Sequence, residues 1–187
     1  MVTGRGRPLR ADARRNRAAV LAAAEELFAA RGTGVSTEEV AQAAGVGIGT
    51  VFRHFPTKEA LLAAVFVDRL DRLADEAAAG AAAEDPGAAL FALVTRAVDQ
   101  SATKNALADA LTAAGVALDT HRGGRVADAL GALLARARDA GAVRPEVDVP
   151  TLNAVLVGAA RAIEHAGGDP VLRARVLRVM LAGLRPD

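Results

Sequence analysis

The hydrophobic residues of this chain recur with the spacing of an α-helix almost throughout, and no segment alternates with the period of two that a half-buried strand requires. The first apolar stripe runs through Val20, Ala24 and Phe28 and predicts a helix over 12–31, which Gly32 ends. The same pattern, with its caps and prolines, predicts eight further helices at 36–44, 47–55, from 57, from 85, 104–114, 121–140, 150–165 and 170–184. We therefore predict an all-α protein of nine helices.

Residues 36–55 have the pattern of two short helices joined by a tight turn. Ser36, followed three residues later by Glu39, forms a capping box, in which each side chain bonds the backbone N–H of the other residue. Gly45 can take the positive φ that such a turn needs, and Ala41 is small enough for two helices to cross closely. The segment therefore predicts a helix-turn-helix.

The second helix of this pair has a face that the predicted core leaves open. Gly47 and Gly49 would let the backbone approach another surface closely. Thr50 and Arg53 are three residues apart, so they share that face with Ile48. Arginine can contact guanine or a phosphate, and threonine can contact a base edge or a phosphate. This face is the candidate DNA-contacting surface.

Charge is unevenly distributed along the chain, although the formal net charge is only +1. Residues 1–17 hold six Arg and one Asp, a net charge of +5, and residues 1–60 have a net charge of +3 against −2 for the rest. A basic end on a slightly acidic body favours an anionic partner. The six arginines either form a solvated tail or contact the minor groove or phosphates of DNA, and the sequence leaves both open.

The helix pair and its flanks resemble the DNA-binding domain of the TetR family of transcriptional regulators. The resemblance covers about residues 12–66 and includes the stretch STEEVAQAAGVGIGTVFRHFPTKEALL at 36–62. It is specific because the helix lengths, the turn glycine, the His54–Phe55 pair and the following Thr-Lys-Glu occur in register. It implies a helix-turn-helix domain on a helical bundle that binds an effector and dimerises, with a basic arm at 1–11, the DNA-binding domain at 12–56 and the bundle at 57–187.

The resemblance also implies which residues contact DNA. By register, phosphate contacts fall on Thr37, Gly47, His54 and Lys58. Base contacts fall on Ile48, Gly49, Thr50 and Arg53. Phe52 stands where the family usually has tyrosine, so its ring can pack against sugar or a thymine methyl group, but the hydroxyl bond to a phosphate is lost.

In the family, the body of the protein holds a pocket for a small-molecule effector. Candidate lining residues, chosen by helical face, are Leu62, Phe66, Leu70, Phe91, Val94, Val98, Leu107, Leu111, His121 and Arg125. The apolar members of this set are equally typical of a filled hydrophobic core. The sequence does not decide between a core and a cavity.

The last two predicted helices are apolar on more than one side, so each must be buried on more than one side. In a chain of this size, that pattern predicts a homodimer formed through a four-helix bundle, as the family resemblance also implies. The predicted interface residues are Leu152, Val155, Leu156, Ala159, Ile163, Val176, Met180 and Leu184.

Several classes of protein are not expected from this sequence. The absence of cysteine excludes a disulfide scaffold, a cysteine nucleophile and thiolate zinc ligands. The three histidines are far apart, no nucleophile–base arrangement stands out, and no cofactor or metal is expected. Without a catalytic arrangement, we expect that the protein is not an enzyme. The chain also has no run of 18 apolar residues and no secretory signal, so we expect it to be cytoplasmic.

The most specific prediction is a homodimeric transcriptional repressor that a small-molecule ligand releases from a near-palindromic operator in double-stranded DNA. Each subunit would place the second helix of the pair in a major groove. Two alternatives stay open: a transcriptional activator of the same fold, and a helical small-molecule-binding protein that does not bind DNA.

Overall fold

The computed structural model describes the backbone of residues 6–116, 120–165, 167 and 169–186, and the side chains among them from residue 11 onwards except those of 120–122. This part of the chain contains nine α-helices and no strand. They are α1 (Gly6–Arg31), α2 (Thr37–Ala43), α3 (Ile48–His54), α4 (Lys58–Ala81), α5 (Pro86–Asp99), α6 (Ser101–Ala113), α7 (Thr120–Asp139), α8 (Val149–His165) and α9 (Pro170–Leu184). The predicted all-α, nine-helix fold is confirmed.

The first helix is longer than the sequence pattern predicts, because it begins at Gly6 rather than near residue 12. Four of the six added residues, Arg7, Leu9, Arg10 and Ala11, are good helix formers. Pro8 lies in the first turn, where a missing N–H and a fixed φ cost little. Residues 6–11 of the predicted arm are therefore helical, and residues 1–5 lie outside the described part.

The starts of three later helices follow local capping rules. The Ala60 N–H donates to Thr57 Oγ1 at 3.1 Å, which caps α4. Asp85 caps α5, and Asp169 caps α9, each followed by a proline at the first helical position. These predicted caps are confirmed, since each depends only on residues within one turn of the helix start.

The described chain forms two compact units. The first unit contains residues up to Asp68 together with the segment from Thr103 to residue 116, and the second contains Arg69–Ala102 together with the residues from 120 onwards. The boundary falls inside α4, so this one helix contributes residues to both units. None of the described helices has the length and apolarity that crossing a membrane would require.

The core of the first unit is built from the apolar faces that the sequence pattern predicts. Its buried apolar members are Val20, Leu21, Ala23, Ala24, Phe28, Val35, Val40, Ala41, Val51, Phe55, Leu61, Leu62, Val65, Phe66, Leu107 and Leu111. α1 packs against both α2 and α3, and α2 packs against α3. The two short helices are thus held by a long one, which positions α3 with one face inside and one face outside.

The second unit is a closely packed bundle in which α5 contacts α7, α8 and α9. Its core includes Leu90, Val94, Leu133, Leu152 and Met180 among other buried residues. Backbones approach closely at Gly87, where an added Cβ would lie 2.4 Å from the Cβ of Ala142. This packing leaves no room for a side chain at position 87.

Candidate nucleic-acid interface

The start of α2 is fixed by the predicted capping box. The Glu39 N–H donates to Ser36 Oγ at 3.2 Å, and the Ser36 N–H donates to Glu39 Oε2 at 2.9 Å. Arg31, at the end of α1, donates to Glu39 Oε1 at 2.5 Å. The backbone hydrogen bond from Ser36, followed by the hydrogen bond from Arg31, lowers the pKa of Glu39 to about 2. A charged carboxylate thus joins the beginning of α2 to the end of α1.

The turn between α2 and α3 depends on Gly45. Its φ is +66°, its N–H donates to the Gln42 carbonyl at 3.1 Å, and the following Val46 N–H donates to the Ala41 carbonyl at 3.0 Å. This pair of bonds is a Schellman motif, which ends a helix through a residue in the left-handed region. Gly47 then begins α3 as an N-cap residue with no side chain to cap it. The exposed backbone at that point is available to an external acceptor.

The two faces of α3 have opposite environments. Val51 is fully buried, whereas Ile48 is 37% exposed and Phe52 is 43% exposed. Arg53 is exposed, and Thr50 is half-buried. Of the predicted base-contacting residues, the structure therefore brings Ile48, Gly49 and Arg53 to the solvent side of one short helix, with Thr50 at its edge.

The glycines of this surface are not required by packing inside the chain. A Cβ added at Gly47 or Gly49 would have no heavy-atom neighbour within 4 Å, and neither residue has a positive φ. Glycine in a helix costs up to about 1 kcal/mol relative to alanine. The absence of a side chain at these positions thus leaves the backbone accessible to a surface outside the subunit.

The predicted phosphate-contacting residues lie around both ends of α3. Gly47 is exposed at its start, His54 is half-buried at its end, and Lys58 is half-buried in the first turn of α4. Thr37 differs, because it is buried in the first turn of α2 and its hydroxyl donates to Glu38 Oε2 at 3.3 Å. Three of the four predicted positions are therefore at least partly open to solvent.

Arg17, one of the six arginines of the basic N-terminal segment, lies beside the end of α3, a position that the charge pattern did not predict. Its guanidinium carbon is 5.4 Å from the centroid of the Phe55 ring, a cation–π contact between α1 and the residue that ends α3. The spacing of Arg14, Arg17, Leu21 and Ala24 by three and four residues could have shown that these residues share one face of α1.

The predicted effector-contacting residues divide between the two units. Leu62, Phe66, Leu107 and Leu111 are buried in the first unit, and Val94 and Val98 are buried in the second. Leu70 and Phe91 are half-buried, and the guanidinium carbon of Arg185 lies 4.6 Å from the centroid of the Phe91 ring. Within each unit, these side chains are part of the packed interior or its edge.

The two polar candidates for the effector pocket have different outcomes. Arg125 is exposed and donates to Asp71 Oδ1 at 3.1 Å and to Asp75 Oδ1 at 2.5 Å, so its charge is used in joining α7 to α4. The side chain of His121 lies outside the described residues. The acidic partners of Arg125 are more than 40 residues away in sequence, which is why the helical pattern did not reveal the ion pairs.

The predicted dimer residues lie mainly on the inward face of α8 and α9. Leu152, Ile163, Met180 and Leu184 are buried in the core of the second unit, and Leu156, Ala159 and Val176 pack against that core. Val155 is the exposed member of the set. Other exposed valines on these helices are Val157, Val171 and Val179, of which Val179 is 73% exposed. Most of the predicted dimer residues thus belong to the core of the second unit, and exposed valines lie on other sides of both helices.

The described residues contain no group of three or more His, Cys, Asp and Glu side chains suited to a metal ion. In the same part of the chain, no buried side-chain nitrogen or oxygen lacks a hydrogen-bond partner. The folding of these helices therefore satisfies the interior polar groups, and the polar groups with unused bonding capacity lie at the surface.

Comparisons with known proteins agree with this geometry. A family model described as bacterial regulatory proteins, tetR family, matches residues 20–65, and a model of the C-terminal domain of SbtR-like transcriptional regulators matches residues 85–186. No curated protein matches the chain.

Among solved structures, a TetR transcription regulatory protein from Mycobacterium vanbaalenii is 45% identical, with 96% of this chain and 100% of that protein covered and a TM-score of 0.78. A TetR transcriptional regulator from Streptomyces coelicolor is 35% identical, with 91% and 98% covered and a TM-score of 0.77. A third structure, described as the molecular basis for control of antibiotic production by a bacterial hormone, is 26% identical, with 91% and 97% covered and a TM-score of 0.62.

Proposed function

Because this chain belongs to the TetR family of transcriptional regulators, we propose that it is a homodimeric repressor which a small-molecule ligand releases from a near-palindromic operator. TetR-family regulators are DNA-binding transcription factors rather than enzymes. The observation that carries the proposal is the solvent face of α3, where exposed apolar side chains, an arginine and two glycines occur together.

The composition of this face supports insertion of α3 into a major groove. Large apolar side chains exposed on a rigid helix are typical of a surface that another molecule covers. The major groove admits an α-helix and presents both hydrogen-bonding base edges and the methyl group of thymine. Ile48 and Phe52 would contact methyl groups or sugars, and Arg53 would bond a guanine or a phosphate.

The residues around α3 would hold the DNA backbone. Gly47 offers an uncapped backbone at the start of α3, and Lys58 offers an ammonium group in the first turn of α4. His54 and the buried Thr37 complete the set that the family resemblance implies. Contacts of this kind fix the orientation of a protein on the duplex without specifying its sequence, so the base contacts of α3 would provide specificity.

The exposed sides of α8 and α9 support the homodimer. Val155 on α8 and Val179 on α9 remain exposed after the unit has packed its own core, and beside Val155 are the small exposed residues Ala154, Gly158 and Ala162. Small residues allow close helix contact, and a two-fold dimer buries the same surface of both subunits. Two copies of α3 would then meet half-sites related by the same two-fold axis, which gives a near-palindromic operator.

Ligand release is supported by α4 and by one neighbour. α4 contributes residues to both compact units. A ligand that favoured one position of the C-terminal half of α4 would therefore also favour one position of its N-terminal half, which follows α3 in the chain. A coupling of about 1–3 kcal/mol is typical of such allosteric effects. The neighbour at 26% identity is described as the molecular basis for control of antibiotic production by a bacterial hormone, and response to a hormone is in line with the proposed release by a ligand.

The proposal can be tested by selecting DNA from a random duplex pool with the purified full-length chain. We expect an enriched inverted repeat and a complex of two subunits per duplex. A reporter under that repeat should be repressed by the protein. Enrichment of no sequence would contradict the proposal and favour a helical ligand-binding protein without DNA readout, and activation of the reporter would contradict the repressor assignment alone.

A further inference from the structure

The N-terminal extension of α1 lies outside the segment that the family model matches. That model begins at residue 20, whereas α1 runs without interruption from Gly6 to Arg31. The extension therefore adds nearly four helical turns to the DNA-binding unit, and nothing in the family assignment gives it a role.

One face of α1 is apolar from Leu21 onwards and is lined by arginine positions in the N-terminal extension. Seven positions alternate in spacing between three and four residues: Arg7, Arg10, Arg14, Arg17, Leu21, Ala24 and Phe28. Residues with this spacing lie on one side of a helix. The last three are buried in the core of the first unit. The four arginine positions, which we call the basic stripe, thus continue the side of α1 that faces α2 and α3.

The structure describes the side chains of two stripe residues, Arg14 and Arg17, and neither pairs with a carboxylate among the described residues. Arg14 is exposed and has no carboxylate partner among them, and Arg17 contacts the Phe55 ring rather than an acid. The neighbouring Arg15 lies on a different side of α1 and pairs with Asp12. Like charges three and four residues apart repel each other on a helix, so an external polyanion would stabilise this segment.

The dimensions of the stripe fit the outside of a duplex. From Arg7 to Arg17 a helix rises about 15 Å, and phosphates of one DNA strand follow each other every ~3.4 Å along the axis. A helix with side chains is about 10 Å across, whereas the minor groove is about 6 Å wide. A helical extension therefore meets phosphates and does not enter the minor groove as an extended arm would.

We propose that the basic stripe binds the phosphate backbone of DNA flanking the operator. The occupant is DNA because the stripe is positively charged and its last member, Arg17, lies against Phe55, the residue that ends α3. This inference rests on the proposed function. It assigns to Arg7, Arg10 and Arg14 a contribution that is independent of base sequence and strongly dependent on salt.

The test compares the wild type with the Arg7→Gln/Arg10→Gln/Arg14→Gln variant of the full chain. The probes are a duplex that the wild type selects from random DNA and a scrambled duplex of equal length. Each lost phosphate contact should reduce the slope of log affinity against log salt by about 0.9 and weaken binding roughly fivefold at about 0.15 M salt. The loss should be equal on both probes, because phosphate contacts do not distinguish sequences.

A matched pair of single variants compares Arg14, which belongs to the stripe, with its neighbour Arg15, which does not and serves as the control. Arg14→Gln alone should lower the salt slope by about 0.9 per subunit, whereas Arg15→Gln should leave it unchanged, and thermal unfolding should be the same for both. Equal slopes for the wild type and the triple variant, equal effects of the two single changes, or a loss confined to the selected duplex would overturn the inference. Wild-type protein that selects no duplex would instead contradict the proposed function.

Discussion

Two surfaces of this molecule leave large apolar side chains exposed, and they differ in what surrounds those side chains. On α3, Ile48 and Phe52 share the surface with Arg53, Thr50 and a glycine that no internal contact requires. This mixture suits a partner that presents both hydrogen-bonding edges and apolar groups, as a major groove does.

On α8 and α9, the large apolar side chains that stay exposed are valines, and on α9 the exposed Arg175 and Arg178 lie close to Val179 in the chain. Val155 lies among small residues, and Val171 and Val179 are more exposed than either apolar residue of α3. Valines among small residues, as around Val155 on α8, suit a partner with a similar surface, and a second copy of the chain provides one. Under the proposed function, similar exposure would serve DNA binding at α3 and dimerisation at α8 and α9, and the residues beside the exposed apolar side chains distinguish the two surfaces.

The largest expected effect comes from charging the second surface. Val155→Asp with Val179→Asp should yield monomers by sedimentation, since each subunit would bring two carboxylates into the interface and the two-fold axis would repeat both on the partner. Loss of bivalent binding should weaken operator affinity by at least about 10²-fold. The control is Ala132→Asp, on an exposed position of α7. A variant that sediments as a dimer would place the interface elsewhere.

Met180→Asp would not distinguish loss of the dimer from loss of the fold. Met180 is buried in the core of the second unit, so a charge there would destabilise the fold as well as any interface. Exposed valines separate the two effects, because their replacement leaves the core intact.

The next effect tests whether the open backbone of α3 serves binding. Gly49→Ala should not destabilise the protein and should raise its stability by up to about 1 kcal/mol, because no atom meets the new Cβ and alanine is the better helix former. Operator affinity should fall by about 1–3 kcal/mol if the backbone approaches base edges. Calorimetric unfolding and fluorescence anisotropy give the two quantities.

Gly45→Ala is the contrasting control for this experiment. Its φ of +66° strains any residue with a Cβ, so stability should fall. If Gly49→Ala left operator binding unchanged, the open backbone at that position would have no role in DNA contact.

A smaller effect is expected from restoring the hydroxyl that the family usually has. Phe52 is exposed on α3, and Phe52→Tyr should gain a hydrogen bond to a phosphate worth on the order of 1.5 kcal/mol. Binding should tighten equally on operator and scrambled duplexes, because phosphates carry no sequence information. A gain on the operator alone would instead indicate base contact by this side chain.

The smallest effect concerns the pH dependence of stability in the first unit, which contains Glu39. The folded pKa of Glu39 is lowered to about 2 from 4.5, so its carboxylate stabilises the first unit fully above pH 4.5, and this contribution is lost as the pH falls towards 2. Glu39→Gln should reduce stability at neutral pH and should reduce the loss of stability on acidification. NMR signals from α2, followed by pH titration, would measure this; an unchanged acid profile would contradict the capping role.

Much of the first unit was predictable because its determinants lie close together in sequence. The capping box uses residues three apart, and the turn requires one glycine with positive φ at Gly45. The exposed face of α3 follows from its short helical pattern. The start of α1 was less predictable, because arginines and an early Pro8 are compatible with either an arm or a first helical turn.

For the second unit, the positions of the helices were predictable from the sequence, but the side of each helix that packs inward was not. α8 and α9 are apolar on more than one side, and the side that packs inward is decided by α5 and α7, which are distant in sequence. Leu152 and Met180 were therefore predicted at a dimer interface and lie in the unit core. Arg125 pairs with Asp71 and Asp75 for the same reason, since only the packing of α7 beside α4 brings them together.

The most direct test of DNA readout by a dimer is to repeat the DNA selection with Arg53→Ala and compare the enriched sequences. We predict that base preference relaxes at one position in each half-site, that the two positions are related by two-fold symmetry, and that preference elsewhere is retained. Unchanged preference at every position, or relaxation in one half-site only, would contradict the assignment of α3 as the helix through which two identical subunits recognise the operator.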